Sequence, residues 1–168
     1  MNILELFMPI RTFVFDVDGV LTDGTLMLTE DGHMLRSMNI KDGYAMQLAI
    51  KKGYKIWVIT GGNSEAVRSR LNRLGINDVH IGIESKKEKL HLMTLASDIN
   101  YENILYMGDD IPDYAVMQQC GLPCCPGDAV SEIKSISKYI SPLSGGKGCV
   151  RDVIEKVLKL NGDWELPS

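Results

Sequence analysis

The chain has 168 residues, 45% hydrophobic and 24% charged, with a net charge of −4. That describes one globular domain with a core of its own and excludes a general basic field for nucleic acid. No apolar run approaches the roughly 20 residues of a membrane-spanning helix, and residues 1–11 lack the basic-then-apolar pattern of a signal peptide.

In chain order, short β-branched and aromatic runs alternate with helix-period stretches. The first run, Thr12-Phe13-Val14-Phe15, stops at two aspartates and a glycine. Thr25 to Thr29 and Met34 to Met38 flank Glu30-Asp31-Gly32, the pattern of a β-hairpin whose turn wants positive φ at Gly32. Asp42 is placed to cap a helix through Lys52, with Tyr44, Ala45, Leu48 and Ala49 on its apolar side and Gly53 ending it. Lys55 to Ile59 reads as a second buried strand running into Thr60-Gly61-Gly62-Asn63. Ser64 opens a helix that ends near Leu74-Gly75, and Asp78 to Ile81 is a short third strand. Lys86 to Ser97 is a helix with Leu90, Met93, Thr94 and Ser97 near one face. Ile104 to Met107 is a fourth strand, ending in Gly108-Asp109-Asp110, and Pro112 sits early in the next helix. Leu122 to Cys125 and Lys138 to Ile140 are strands around another helix, and Val150 to Leu160 is the last helix. This alternation predicts a doubly wound, mainly parallel α/β sheet over residues 1–168, with the hairpin, about residues 24–38, protruding.

In such a sheet, ligands bind beyond the carboxyl ends of the strands. There the chain would gather Asp16 and Asp18, Thr60 and Gly61, Asp109, Asp110 and Asp113, with Lys86 opening a nearby helix. Carboxylates crowded at one spot need a cation, and Mg²⁺ suits one or two of them plus a phosphate. A phosphate dianion and an attacking carboxylate about 4 Å apart repel by roughly 4 kcal/mol at an effective dielectric near 20. A bridging Mg²⁺ reverses that repulsion. One of the Asp16/Asp18 pair can then attack phosphorus and the other move the proton, while Thr60, Gly61 and Lys86 hold phosphoryl oxygens. Taken singly, each is as well read as a turn, a helix cap or a solvated lysine; together, each after a β-run, they spell a phosphatase. A receiver-like phospho-switch is the rival reading, and Asp18 speaks against it because such a domain needs no acid/base. Neither a GxSxG elbow nor a GxxxxGK[ST] loop is present.

Asp16-Val17-Asp18-Gly19, Thr60, Lys86 and Gly108-Asp109-Asp110-Ile111-Pro112-Asp113 resemble the four motifs of the haloacid dehalogenase superfamily across almost the whole chain. The resemblance implies a Rossmann-like core, Asp16 as nucleophile, Asp18 as acid/base, and Mg²⁺ on Asp16, the Asp18 carbonyl and Asp109. Asp110 and Asp113 would stand behind these or start the helix. Gly19-Val20-Leu21-Thr22-Asp23-Gly24, Asn39-Ile40-Lys41-Asp42-Gly43 and Gly145-Gly146-Lys147-Gly148-Cys149-Val150-Arg151 further resemble the capless 3-deoxy-D-manno-octulosonate 8-phosphate phosphatase family. That family implies no cap domain, a sugar-acid phosphate substrate in lipopolysaccharide biosynthesis, and cytoplasmic tetramers. In these a neighbour covers the site and the glycine-rich tail, from about residue 144, can fold over it. Relatives often carry a charged residue where this chain has Gly62, which leaves phosphatases of nine-carbon, sialic-acid-type 9-phosphates as the alternative.

Several of the remaining candidates have more than one reading. Asn39 either bonds a sugar hydroxyl or closes a turn, and Lys41 either meets the substrate carboxylate or is solvated. Gly62 and Asn63 would face the sugar. Arg70 serves the site, a subunit contact or neither, and Lys147 either reaches a pocket or is a mobile lysine. His33, His80 and His91 have no metal-ligand spacing. The four cysteines form no CxxC pair, so a reduced, buried set is expected rather than zinc or a disulfide.

Overall fold

Strands β1 (Thr12–Phe15), β4 (Lys55–Ile59) and β6 (Ile104–Met107) form the centre of the computed structural model, which describes residues 2–168. Met1, the first residue of the expected domain and leader-free N-terminus, lies outside the described residues. These strands are apolar at nearly every position because both faces are covered. Side chains alternate between two cores. Phe13, Phe15, Ile56, Val58, Leu105 and Met107 face one layer, while Val14, Trp57, Ile59, Ile104 and Tyr106 face the other.

With β5 (Asp78–His80), β7 (Leu122–Cys125) and β8 (Tyr139–Ile140), they make a six-stranded parallel sheet in the order β5-β4-β1-β6-β7-β8. The chain winds outward from β1 in one direction, then returns to wind out in the other. The switch point therefore lies beside β1. Helices α1 (Ile40–Lys51), α2 (Glu65–Arg73) and α6 (Cys149–Leu160) cover one face. Helices α3 (Lys86–Ser97), α4 (Tyr114–Met117) and α5 (Ser131–Ile136) cover the other. No cap domain interrupts the strand connections among the described residues. Among the described residues, no helix is long and apolar enough to cross a membrane.

Several expectations shift in detail. The hairpin pairs only β2 (Met27–Leu28) with β3 (Met34–Leu35), because it stands away from the sheet and has nothing to pack on. Its turn does place Gly32 at φ +90°. Asp42 is not the cap of α1: the Asn39 side-chain oxygen Oδ1 accepts from the Lys41 and Asp42 amides at 2.8 and 3.2 Å. Asp42 is buried one turn in and accepts the Arg151 amide at 2.9 Å. It thus caps α6, whose own N-cap, Gly148, has no side chain. The expected strand at Asp78 to Ile81 ends at His80, and that at Lys138 to Ile140 begins at Tyr139. The Pro112 helix begins as a 3₁₀ turn, Ile111–Asp113, before α4, and α6 starts at Cys149.

The cysteines are all free and buried, with Cys124 and Cys125 on opposite faces of β7. Burial pushes the Cys120 thiol up to about 12, which leaves it unreactive. The glycine-rich segment is a packed turn rather than a loose flap. The Gly146 amide donates to the Val20 carbonyl at 3.0 Å and the Gly145 amide to Asp128 Oδ1 at 3.0 Å. A Cβ on Gly145 would overlap the Gly19 carbonyl, so the segment can lie against the β1 loop only as glycine.

Candidate active site

Each central strand delivers polar groups at its carboxyl end. Beyond β1, the Asp16 amide still donates to the Met107 carbonyl at 3.2 Å, and the Asp16 carboxylate turns back to accept the Val17 amide at 2.7 Å. The backbone then reverses at Gly19, φ +86°, where a side chain would collide with the Asp109 carboxylate. Thr22 braces the loop by accepting from the Gly19 and Gly24 amides at 3.3 and 3.2 Å. Beyond β4, Thr60 is buried and its hydroxyl accepts the Gly62 amide at 3.2 Å. Ser85 caps α3 through the Glu88 amide at 3.3 Å, which sets Lys86 as the first helical residue.

These pieces meet in a cleft of about 430 Å³. Asp16, Asp18, Thr60, Gly61, Gly62, Lys86, Asp109, Asp110 and Asp113 line it, joined by Gly24, Ile83, Glu84 and Pro112. Lys86 is only 6% exposed, and its ammonium lies 3.0 Å from Asp16 Oδ1 and 2.8 Å from Asp113 Oδ1. Asp113 is held from behind as well. It also accepts the Tyr106 hydroxyl at 2.8 Å and the Asp109 amide at 3.3 Å. Asp110, on the cleft's rim, accepts the Ile111 amide at 2.8 Å and so starts the 3₁₀ turn.

The electrostatics mark a place for a cation. Oxygens of Asp16, Asp109 and Asp113 lie within 4.8 Å of one another. Burial, then the charge of Asp113, hold Asp16 well above the ordinary carboxylate range, and Lys86 offsets this only in part. The same two causes push Asp109 up to about 7. Burial pulls Lys86 down, but Asp113 and Asp16 together hold it above its usual value. One lysine cannot neutralise three clustered carboxylates. An all-oxygen donor set of this size fits a hard divalent ion such as Mg²⁺.

The residues assigned to the sugar do not gather as closely. Asn39, Lys41, Asn63, Arg70 and Lys147 do not line the cleft. Asn39 caps the N-terminus of α1 and donates to the Gly146 carbonyl at 3.3 Å, while Lys41, Asn63 and Lys147 are exposed. Arg70 lines a separate groove with Met34, Leu35, Arg36 and Met38 at the base of the hairpin.

Gly24, Ile83 and Glu84 of the lining escaped the sequence reading, and so did two residues that hold the site's carboxylates. Tyr106 braces Asp113 from inside β6. Arg36 places its Nε 2.7 Å from Asp18 Oδ1 and its Nη2 3.2 Å from Asp18 Oδ2. A signal was present: Arg36 is a lone cation within the run Met34-Leu35-Arg36-Ser37-Met38.

No family model matched the sequence. The chain is 31% identical over 157 residues to 3-deoxy-D-manno-octulosonate 8-phosphate phosphatase of Yersinia pestis, covering 94% of this chain and 84% of that one. It is 33% identical over 153 residues to the Escherichia coli (strain K12) enzyme of that name, covering 91% of this chain and 81% of that one. Among solved structures, it resembles 3-deoxy-D-manno-octulosonate 8-phosphate phosphatase from Moraxella catarrhalis in complex with magnesium ion, phosphate ion and KDO. The TM-score is 0.90 at 30% identity, over 94% of this chain and 91% of that one.

Proposed function

The chain belongs to the 3-deoxy-D-manno-octulosonate 8-phosphate phosphatase family of the haloacid dehalogenase superfamily, and on that premise we propose its reaction and the residues that perform it. It hydrolyses 3-deoxy-D-manno-octulosonate 8-phosphate to the free sugar acid and phosphate, a step of lipopolysaccharide biosynthesis, with Mg²⁺ as cofactor. The observation that carries the reading is the meeting of Asp16, Lys86 and Asp109 in one cleft at the switch point of the sheet.

Asp16, Asp109 and the Asp18 carbonyl would hold the Mg²⁺. When bound, it neutralises the carboxylates and polarises the phosphoryl oxygens. Thr60 and the Gly61 amide donate to those oxygens, and Lys86 adds a fixed positive charge. An Asp16 oxygen attacks phosphorus while Asp18 gives a proton to the departing sugar oxygen, leaving an aspartyl-phosphate at Asp16. Asp18, now a carboxylate, takes a proton from water, and the water oxygen attacks phosphorus to restore Asp16 and release phosphate. Asp113 and Tyr106 keep Lys86 in place from behind. Asp110 starts the helix that carries Asp113.

We also propose a single domain, a cytoplasmic location and a homotetramer in which the hairpin meets a neighbouring copy. Supporting the last, Met27, Leu28, Met34 and Leu35 are all exposed. Gly62 lines the cleft of the chain itself, whereas Asn39, Lys41, Asn63, Arg70 and Lys147 would contribute to the sugar side only in that assembly.

A steady-state panel tests the substrate. The eight-carbon sugar-acid phosphate should exceed a nine-carbon keto-deoxy sugar 9-phosphate in kcat/KM by about tenfold or more, on the order of one good polar contact. Preference for the nine-carbon compound would overturn the assignment.

A further inference from the structure

Asp18 is a half-exposed carboxylate of the cleft, and its side-chain partner comes from outside the strand-end loops. We propose that Arg36, carried in by the hairpin, is the positioning residue that orients Asp18 for proton transfer, and that the bare Gly62 is what makes room for it. This rests on the reaction proposed above.

The contact is a fork. Two guanidinium nitrogens meet the two Asp18 oxygens at 2.7 and 3.2 Å, an arrangement that fixes the carboxylate plane as well as its position. Among the described residues, no other group donates a hydrogen bond to the Asp18 side chain. The two partners differ in exposure: the Arg36 side chain is 10% exposed and that of Asp18 38%. The cation is therefore the wall and the carboxylate the face turned to the cleft. Each oxygen spends one lone pair on the fork and keeps another for a proton. Arginine stays charged at any working pH, so the fork is strongest to the Asp18 carboxylate, the form that takes the proton from water.

Gly62 completes the geometry. A Cβ there would lie 3.3 Å from Arg36 Nη2, 3.5 Å from Asp18 Oδ2 and 3.6 Å from Thr60 Oγ1. A larger side chain at 62 would compete with the guanidinium for this space. Arg36 follows directly on β3, whose Met34 and Leu35 are exposed, so whatever seats the hairpin also seats Asp18.

A residue that orients Asp18 should act on turnover, whereas one that grips the sugar acid should act on KM. For Arg36→Ala, kcat on the eight-carbon substrate should fall about 10- to 100-fold while KM stays within about threefold, as expected for a displaced proton-transfer group. With p-nitrophenyl phosphate, whose leaving group departs without a proton, the pre-steady-state burst should keep its rate while steady-state turnover falls. Guanidinium ion added to Arg36→Ala should restore part of the lost turnover. Gly62→Leu, which leaves Arg36 in the chain but crowds it off Asp18, should reproduce a lesser kcat loss that disappears in the Arg36→Ala background. It serves equally if Arg36→Ala fails to fold. Active wild-type enzyme with unchanged kcat in both variants, or a KM rise confined to the sugar acid, would overturn the proposal. Wild-type enzyme that releases no phosphate from either compound would overturn the reaction itself instead.

Discussion

The strand-end loops line the cleft, whereas the flanking segments bear on those loops from outside it. Asp16, Thr60 and Asp109 each stand within two residues of a central strand, so the sheet alone places them. Arg36 and the turn at Gly145 and Gly146 come from segments that leave the sheet and return, held by contacts such as Asn39 to Gly146 and Asp42 to Arg151. The nucleophile and the phosphoryl-binding groups are thus built onto the sheet, while the orientation of Asp18 and the support of the β1 loop depend on segments held by long-range contacts. Damage to the first should cost more turnover than damage to the second.

Asp18 joins the two regions and should give the largest effect. Asp18→Asn is expected to cut turnover by about 10³-fold or more, the scale of a lost general acid/base. Calorimetry should show Mg²⁺ binding nearly intact, because the Asp18 side chain lies outside the cluster of Asp16, Asp109 and Asp113. Retained turnover would remove Asp18 from the mechanism.

Lys86→Ala tests the strand-end region. It takes away the cation 3.0 Å from Asp16 and 2.8 Å from Asp113. A kcat loss of about 10²- to 10³-fold is expected, as for one lost electrostatic donor, together with a lower melting temperature from two uncompensated carboxylates.

Gly145→Ala tests the flanking region. Its new methyl would overlap the Gly19 carbonyl, so the turn must shift, at about 1–3 kcal/mol of stability by denaturant titration. Turnover should fall but remain measurable, since Asp16 and Asp109 keep their strands.

Asp42 gives the smallest effect. Asp42→Ala should lose about 1–2 kcal/mol, the worth of a helix cap. Burial holds the folded Asp42 carboxyl at about 6 against an ordinary value of 3.8, while the Arg151 amide and guanidinium lower it only in part. Between those values the folded chain binds the extra proton, so this group's contribution to stability falls as pH rises through the window and is smallest above it. Melting curves of Asp42→Asn should lack that slope.

The same division separates what the sequence disclosed from what it hid. The parallel sheet was legible because Thr12 to Phe15, Lys55 to Ile59 and Ile104 to Met107 are apolar on both faces, and no other environment accepts such runs. The cleft followed from topology, since strands that run one way bring their ends together. Asp42 misled because Asn39 and Asp42 are both good caps three residues apart, and only packing against α6 decides between them. The hairpin strands came out short because pattern reports pairing tendency but not whether a neighbour is there to pack on. Arg36 was hidden because its contact spans 18 residues and depends on where the hairpin folds back. Tyr106 reads as one more strand aromatic until Asp113 is seen beneath its hydroxyl.

The central claim is that phosphate passes through Asp16. Enzyme turning over the eight-carbon substrate with Mg²⁺ can be quenched rapidly and reduced with borohydride, which converts an aspartyl-phosphate to homoserine. Peptide mass spectrometry should then find homoserine at position 16, and find none when Mg²⁺ is chelated. Turnover with unmodified Asp16, or homoserine at another aspartate, would contradict the account.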